Sequence, residues 1–362
     1  MINKSNLKIA RKVLCLMFGT GSQEVAVRAK RMIFEYLNSL EPFQMRIYDT
    51  HLKSSYYDEL IPYFIQLNPQ RAELIRTNPQ EFPLIANHLR LESIPPITST
   101  PGTGQFLSQG KLLFIASLKE IRDSIIKAVT PLLSSQLEAK LAQLNIQLID
   151  DKIYVFLVRS LAGGVGSGSI DELTFLVRDE LQKLLQNRSR FILIDILIRP
   201  EPFESHVQDK EKIWANAGVA ITTKAEYNNF HRKYRAKYYE NLIIEMGGKG
   251  ADFNFLISNR NISGETDRTE SGSTILTLEE VYELIAHFIF LHYTPMIGNF
   301  YEYFANIEHE SHVEIRGQPA IFSSFGLLIL KFPARLINEY LKHVFAIKIL
   351  KHLLEGGEQC YQ

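Results

Sequence analysis

The 362-residue chain is 46% hydrophobic, with 40 Lys+Arg against 40 Asp+Glu and a formal net charge of +0. That is apolar material for one large or two closely joined domains, and the balance argues against nucleic acid or an anionic membrane as the main partner. Two cysteines, Cys15 in an apolar run and Cys360 near the end, give neither a disulfide framework nor a metal-site spacing, which fits a reducing, cytoplasmic setting.

In chain order, apolar runs without alternation occur at 13-VLCLMF-18, 45-MRIY-48, 153-IYVFLV-158, 191-FILIDILI-198 and 253-FNFLIS-258. Such runs suit strands buried on both faces. Amphipathic segments lie between them; Ile170, Leu173, Val177, Leu181 and Leu184 share one helical stripe. The alternation predicts a doubly wound, mostly parallel α/β sheet. Two stretches rich in Gly, Ser, Thr and Pro, 91–110 and 259–273, read as loops that either face a ligand or simply connect elements. The basic run 231-HRKYRAKYY-239 reads as the solvated end of a helix, with contact to nucleic acid or an acidic partner as the other reading. The segment 275-ILTLEEVYELIAHFIFLHY-293 is apolar nearly all round in its second half, through Val281, Leu284, Ile285, Phe288, Ile289 and Leu291. It predicts a helix buried on several sides, running between two domains. Its apolar core is well short of the ~20 residues that span a bilayer. His287, His292, His309 and His312 lack an acid or cysteine at ligand spacing and read as packed or surface side chains.

The stretch 161-LAGGVGSGSID-171 places four glycines in six positions directly after an apolar run. At the carboxyl end of a parallel strand, such a loop presents unpaired N–H groups and a helix's positive end to an anion. Gly163, Gly164, Gly166 and Gly168 leave no Cβ to keep a polyphosphate from the backbone, and Ser167 and Ser169 add hydroxyl donors. A valine at Gly166 would then occupy the phosphate position. The loop is neither a P-loop nor a G-x-G-x-x-G fingerprint, and a turn built for close strand–helix packing is the other reading. Two more glycine turns, 18-FGTGSQE-24 and 101-PGTGQ-105, point to one ligand wrapped from several sides. A nicotinamide-dependent oxidoreductase would use the first turn alone, with an acid such as Asp49 on the ribose.

The segment Ala162 to Gly168, AGGVGSG, resembles the signature loop of the tubulin/FtsZ superfamily, with Val165 in place of the usual threonine. The order of the other pieces is similar to that family from about Leu14 to Leu354, and nearest to the bacterial tubulin-like proteins: Asp49-Thr50 after the second strand, GTGQ before a helix, and Asn259 ahead of the buried helix. The resemblance implies a Rossmann-like nucleotide domain over residues 1–274, a central connecting helix over 275–294 and a partial C-terminal domain over 295–362. It implies GTP or GDP, with Mg²⁺ held mainly by the phosphates. Ala162 to Ser169, Val165 included, would lie on the phosphates. Gly19, Thr20, Gly21, Ser22 and Gln23 would stand beside the nucleotide. Gly102, Thr103 and Gly104 would approach the terminal phosphate, and Asn259 and Glu280 the base. Asp49 would touch the metal shell or ribose, or simply end its strand.

The family completes its hydrolytic site across a head-to-tail contact, using acids in a loop after the central helix. Here 298-GNFYEYF-304 keeps Asn299 but has Tyr301 and Phe304 where the acids would fall, leaving Glu302 as the nearby carboxylate. Nucleotide binding with slow or assembly-dependent hydrolysis is therefore expected. The implied partner is a second copy of the chain in a filament, with other cytoskeletal or accessory proteins besides; a nucleotide-binding scaffold that does not polymerise is the alternative.

Overall fold

A computed structural model describes residues 7–97, 106–170, 172–186, 190–229, 235–239, 242–246, 250–259, 276–297, 314–315, 318–319 and 342–347. The chain divides into two units, Met1–Phe325 and Gly326–Gln362. In the second, residues 342–347 are helical. In the first, the chain runs β1 (Lys8–Phe18), α1 (Thr20–Leu37), β2 (Phe43–Asp49), α2 (Tyr57–Leu60), β3 (Phe64–Gln66), α3 (Pro69–Thr77), α4 (Pro83–Ala86), α5 (Leu107–Ala116), α6 (Leu118–Leu133) and α7 (Ser135–Gln143). It continues through β4 (Ile146–Ser160), α8 (Gly164–Gly168), α9 (Glu172–Leu185), β5 (Phe191–Ile198), α10 (Lys210–Asn229), β6 (Arg235–Tyr239), β7 (Leu242–Met246), β8 (Phe253–Ile257) and α11 (Leu278–Tyr293).

Six strands form one sheet in the order β3-β2-β1-β4-β5-β8, and every neighbouring pair is parallel. The unalternating apolar runs have the expected cause, because helices cover both faces. On one face Leu14, Leu16, Val155, Leu157 and Leu193 pack with Leu113, Ile121 and Leu173. On the other, Val13, Cys15, Phe156, Val158 and Ile196 pack with Val25, Ile33, Ile285 and Ile289. Phe288 of α11 meets Phe156 and Phe255 edge-on, so the all-round apolar pattern of that segment is used against several neighbours. The chain order reverses between β1 and β4, and the crevice outside the carboxyl ends of those strands is where open α/β sheets bind ligands.

All five expected strands are present. Two expectations need correction, and one strand was not expected. Of the basic run at 231–239, residues 231–234 lie outside the described residues, and Arg235–Tyr239 is strand β6, paired antiparallel with β7, in place of the expected helix end. Tyr239 is the reason the run departs from the helical reading, since it is buried and donates its hydroxyl to Glu172 at 2.7 Å. The loop assigned to 91–110 ends early, because α5 begins at Leu107 and Gly110 lies inside it. Edge strand β3 carries no apolar run, with Phe64 and Ile65 half-buried and Gln66 exposed, and gave no strand signal.

Candidate functional site

The first glycine turn stands at the reversal point. β1 ends at Phe18, and Gly19 takes φ +86°, a left-handed conformation that side chains disfavour. Helix α1 then starts at Thr20 with no side chain capping its first amides. The turn is held from behind. Asp49, buried at the end of β2, accepts Thr20 Oγ1 and Gln23 Nε2, each at 2.9 Å, and the Thr50 amide at 2.7 Å. Gln23 also donates to the His51 carbonyl and accepts the Lys53 amide, and Ser22 Oγ donates to the Gly19 carbonyl at 2.6 Å. Burial pushes the Asp49 pKa up against these bonds. Asp49 thus ties the end of β2 to the first turn of α1. The side chains of Gln23 and Ser22 serve the turn itself, leaving backbone N–H groups as the donors toward a ligand.

The signature loop lies against that turn. A Cβ on Gly19 would stand 3.8 Å from both the Gly166 amide nitrogen and Val165 Cβ. The loop closes into the single turn α8, with Gly163 ahead of it and no side-chain cap. Ser167 Oγ donates to the Gly163 carbonyl at 2.7 Å and Ser169 Oγ to the Gly166 carbonyl at 3.0 Å. Both hydroxyl protons therefore go to the loop's own carbonyls, in place of the ligand-facing donors expected.

The glycines divide into two kinds. A Cβ on Gly163 would meet nothing within 4 Å. A Cβ on Gly166 would fall 2.4 Å from the Ser160 carbonyl oxygen, and one on Gly168 would fall 2.3 Å from the Lys111 amide nitrogen. Gly110 of α5 is pressed in the same way against Gly164, its absent Cβ 1.8 Å from that carbonyl oxygen. Gly166 and Gly168 thus permit backbone-to-backbone packing, and the expectation that valine at Gly166 would fill ligand space is corrected: it would strike β4. Gly163 is the position that opens onto free space.

On the far side of the crevice, two buried acceptors follow β5 and β8. Asn259 Oδ1 and Glu201 Oε2 have no hydrogen-bond partner among the described residues. An orphaned buried acceptor calls for a donor, and a bound base or sugar supplies several. Tyr282 of α11 packs over α1, its hydroxyl 3.0 Å from where a Gly21 Cβ would be, and its ring meets Phe203. Neither Glu201 nor Tyr282 was singled out from sequence; the signal lay in Glu201 following a strand and in Tyr282 on the same helix as Glu280. Glu280 itself is exposed and forms a capping box, accepting the Thr277 amide at 2.7 Å while Thr277 Oγ1 accepts its own amide. Those bonds lower its pKa. Gly102, Thr103, Gly104 and Glu302 lie outside the described residues. Among the described residues, no group of three or more His, Cys, Asp or Glu could hold a metal, and no helix is long and apolar enough to cross a membrane.

The sequence profile of a family described as tubulin-like matches residues 71–351. The chain belongs to the tubulin-like family. No curated protein sequence matches it. Among solved structures, the tubulin-like chain is similar to CetZ2 from Haloferax volcanii, described as a GTPγS-bound protofilament, with 13% identity and a TM-score of 0.40 over 77% of this chain and 58% of that one. TubZ of Clostridium botulinum phage c-st is similar at 14% identity and a TM-score of 0.33, over 77% and 59% respectively. The chain thus spans under three fifths of either structure. The fit of this tubulin-like site to an anionic nucleotide rests on its own geometry: adjoining uncapped turns, open space at Gly163, and buried acceptors across the crevice.

Proposed function

We propose that this tubulin-like chain binds GTP or GDP, with Mg²⁺ held chiefly by the phosphates, in the crevice between β1 and β4. The observation that carries the reading is the contact of the Gly19 turn with the Gly163–Ser169 loop at the point where strand order reverses. Backbone amides of the two turns would bind phosphate oxygens. Asn259 and Glu201 would accept hydrogen bonds from the base and sugar; the capping box leaves Glu280 a smaller share than the resemblance implies. Mg²⁺ would offset phosphate charge in a loop that has no lysine.

The same reading assigns residues 1–274 to the nucleotide domain and 275–294 to its connecting helix. It makes a second copy of the chain the partner, stacked head to tail in the cytoplasm, with hydrolysis weak because Glu302 is the one carboxylate near the expected contact. Family membership supports self-assembly.

Thermal melting tests the ligand. GTP or GDP with Mg²⁺ at a hundredfold excess over Kd is expected to add ~2.7 kcal/mol of stability. Stabilisation by NADH or ATP but not by guanine nucleotides would reject the reading and favour an oxidoreductase or an adenine-nucleotide protein. Phosphate release measured against protein concentration tests hydrolysis: a slow rate rising steeply with concentration is expected, and a brisk rate strictly linear in concentration would contradict the interface-completed site.

A further inference from the structure

Beneath the signature loop lies a buried charged cluster. Arg159, the penultimate residue of β4, is fully buried, as is Asp195 in β5. Its Nε donates to Asp195 Oδ1 at 3.2 Å, and Nη2 pairs with Asp195 Oδ2 and donates to Thr174 Oγ1 at 3.2 Å. Lys224 of α10 pairs with the same carboxylate. Burial disfavours the Asp195 anion, yet the charges of Arg159 and Lys224 hold its pKa below the ordinary range.

A buried ion cluster is a poor device for stability alone, because desolvation offsets most of the attraction. What an apolar core cannot do is hold a carbonyl at a fixed point, and Arg159 does this. Its Nη1 donates at 2.8 Å to the carbonyl of Ser169, the residue that ends α8. That oxygen otherwise receives a bond of 3.3 Å from the Leu173 amide. The planar fork spends one edge on Asp195 and points another at the loop, a geometry a lysine cannot reproduce. Ser169 in turn is bonded back to Gly166, and Ser167 to Gly163. Displacement at Ser169 would therefore pass along the turn toward Gly163, where an added Cβ meets open space.

We propose that Arg159 is a positioning residue for the phosphate-facing loop: it fixes Ser169, and so the orientation of the first amides of α8, Gly164–Gly166, toward a bound nucleotide. The ligand part rests on the guanine-nucleotide reading; the positioning part does not.

The test compares Arg159→Lys with the milder Thr174→Val, which removes one anchor of the guanidinium and keeps side-chain shape, and with a control core truncation, Ile33→Ala, on the opposite face of the sheet. Hydrogen exchange is measured on nucleotide-free protein, and binding with a fluorescent GTP analogue plus Mg²⁺ where urea curves show each variant folded. For Arg159→Lys, faster exchange confined to residues 162–173 and a Kd raised about tenfold are expected, by analogy with outer partners of metal ligands. Thr174→Val should show the same pattern in weaker form, and Ile33→Ala neither effect despite lost stability. If Arg159→Lys does not fold, Thr174→Val decides. Exchange at 162–173 unchanged, or raised equally by Ile33→Ala, would overturn the proposal. A wild-type chain that binds no guanine nucleotide would remove the nucleotide reading, while the exchange comparison would still decide whether Arg159 sets the loop.

Discussion

Gly163 and Gly166 stand three residues apart in the signature loop, and valine at the two positions should fail in opposite ways. At Gly163 the backbone has φ −89° and ψ 144°, an extended conformation that valine prefers, and the new Cβ has nothing within 4 Å. The folded chain should change by no more than ~0.5 kcal/mol, as for surface substitutions generally. If phosphate oxygens sit on the amides there, the added methyls displace one charge-assisted hydrogen bond, worth ~1.5–3 kcal/mol, or roughly 10- to 100-fold in Kd. At Gly166 the Cβ would come 2.4 Å from the Ser160 carbonyl oxygen and 2.8 Å from its nitrogen. Backbone cannot yield there without separating α8 from β4, so a loss of ~1–3 kcal/mol or more is expected from overpacking. Urea unfolding without nucleotide and melting with and without GTP and Mg²⁺ read the two effects separately. A Gly163→Val protein with the full nucleotide-dependent shift, or a Gly166→Val protein as stable as wild type, would refute the division of the glycines.

Asn259→Ala removes an acceptor that has no partner among the described residues, so nucleotide-free stability should hold or rise by up to ~1 kcal/mol while GTP binding weakens; urea and binding titrations check both, and lost stability with unchanged binding would count against the role. His292 is buried with its Nδ1–H on the Phe288 carbonyl, and burial, aided by the nearby Arg11 charge, pushes its pKa down to about 3. A histidine with a depressed folded pKa contributes stability above its unfolded value, and loses it as pH falls toward the folded one. About 2 kcal/mol should therefore be lost between pH 7 and pH 5 on this account, and His292→Asn should flatten that slope in urea curves at the two pH values. Thr277→Ala opens the capping box of α11 and should cost ~1 kcal/mol, read by urea unfolding. A much larger fall in GTP affinity than in stability would restore Glu280 to a base-reading role.

The strands of the central sheet were legible because burial on both faces leaves unbroken apolar runs such as 153-IYVFLV-158, and the address of the proposed site was read from glycine turns directly after two of the strands. What the sequence could not separate was the work of individual glycines: Gly163 and Gly166 read alike until the positions of Ser160 and Gly110, one before the loop and one on a distant helix, are known. Tertiary partners also decided 235–239, where Tyr239 finds Glu172 and a strand replaces the expected helix end. Arg159 directly after one apolar run and Asp195 inside another were single charged letters, and their pairing depends on the β4–β5 register, which sets Leu157 beside Asp195. Thr20 and Gln23 were placed near the nucleotide by their turn, but their contact with Asp49 across β2 shows up only in the fold.

The central claim is the identity of the ligand, and the nucleotide released on denaturing the freshly purified chain, separated by chromatography and identified by mass, tests it most directly. The expected result is GDP or GTP in stoichiometric amount, lost from Gly163→Val but retained by Ile33→Ala. Recovery of NAD(H) or an adenine nucleotide in its place, or a chain purified empty that takes up no guanine nucleotide when Mg²⁺ and GTP are added, would contradict the account.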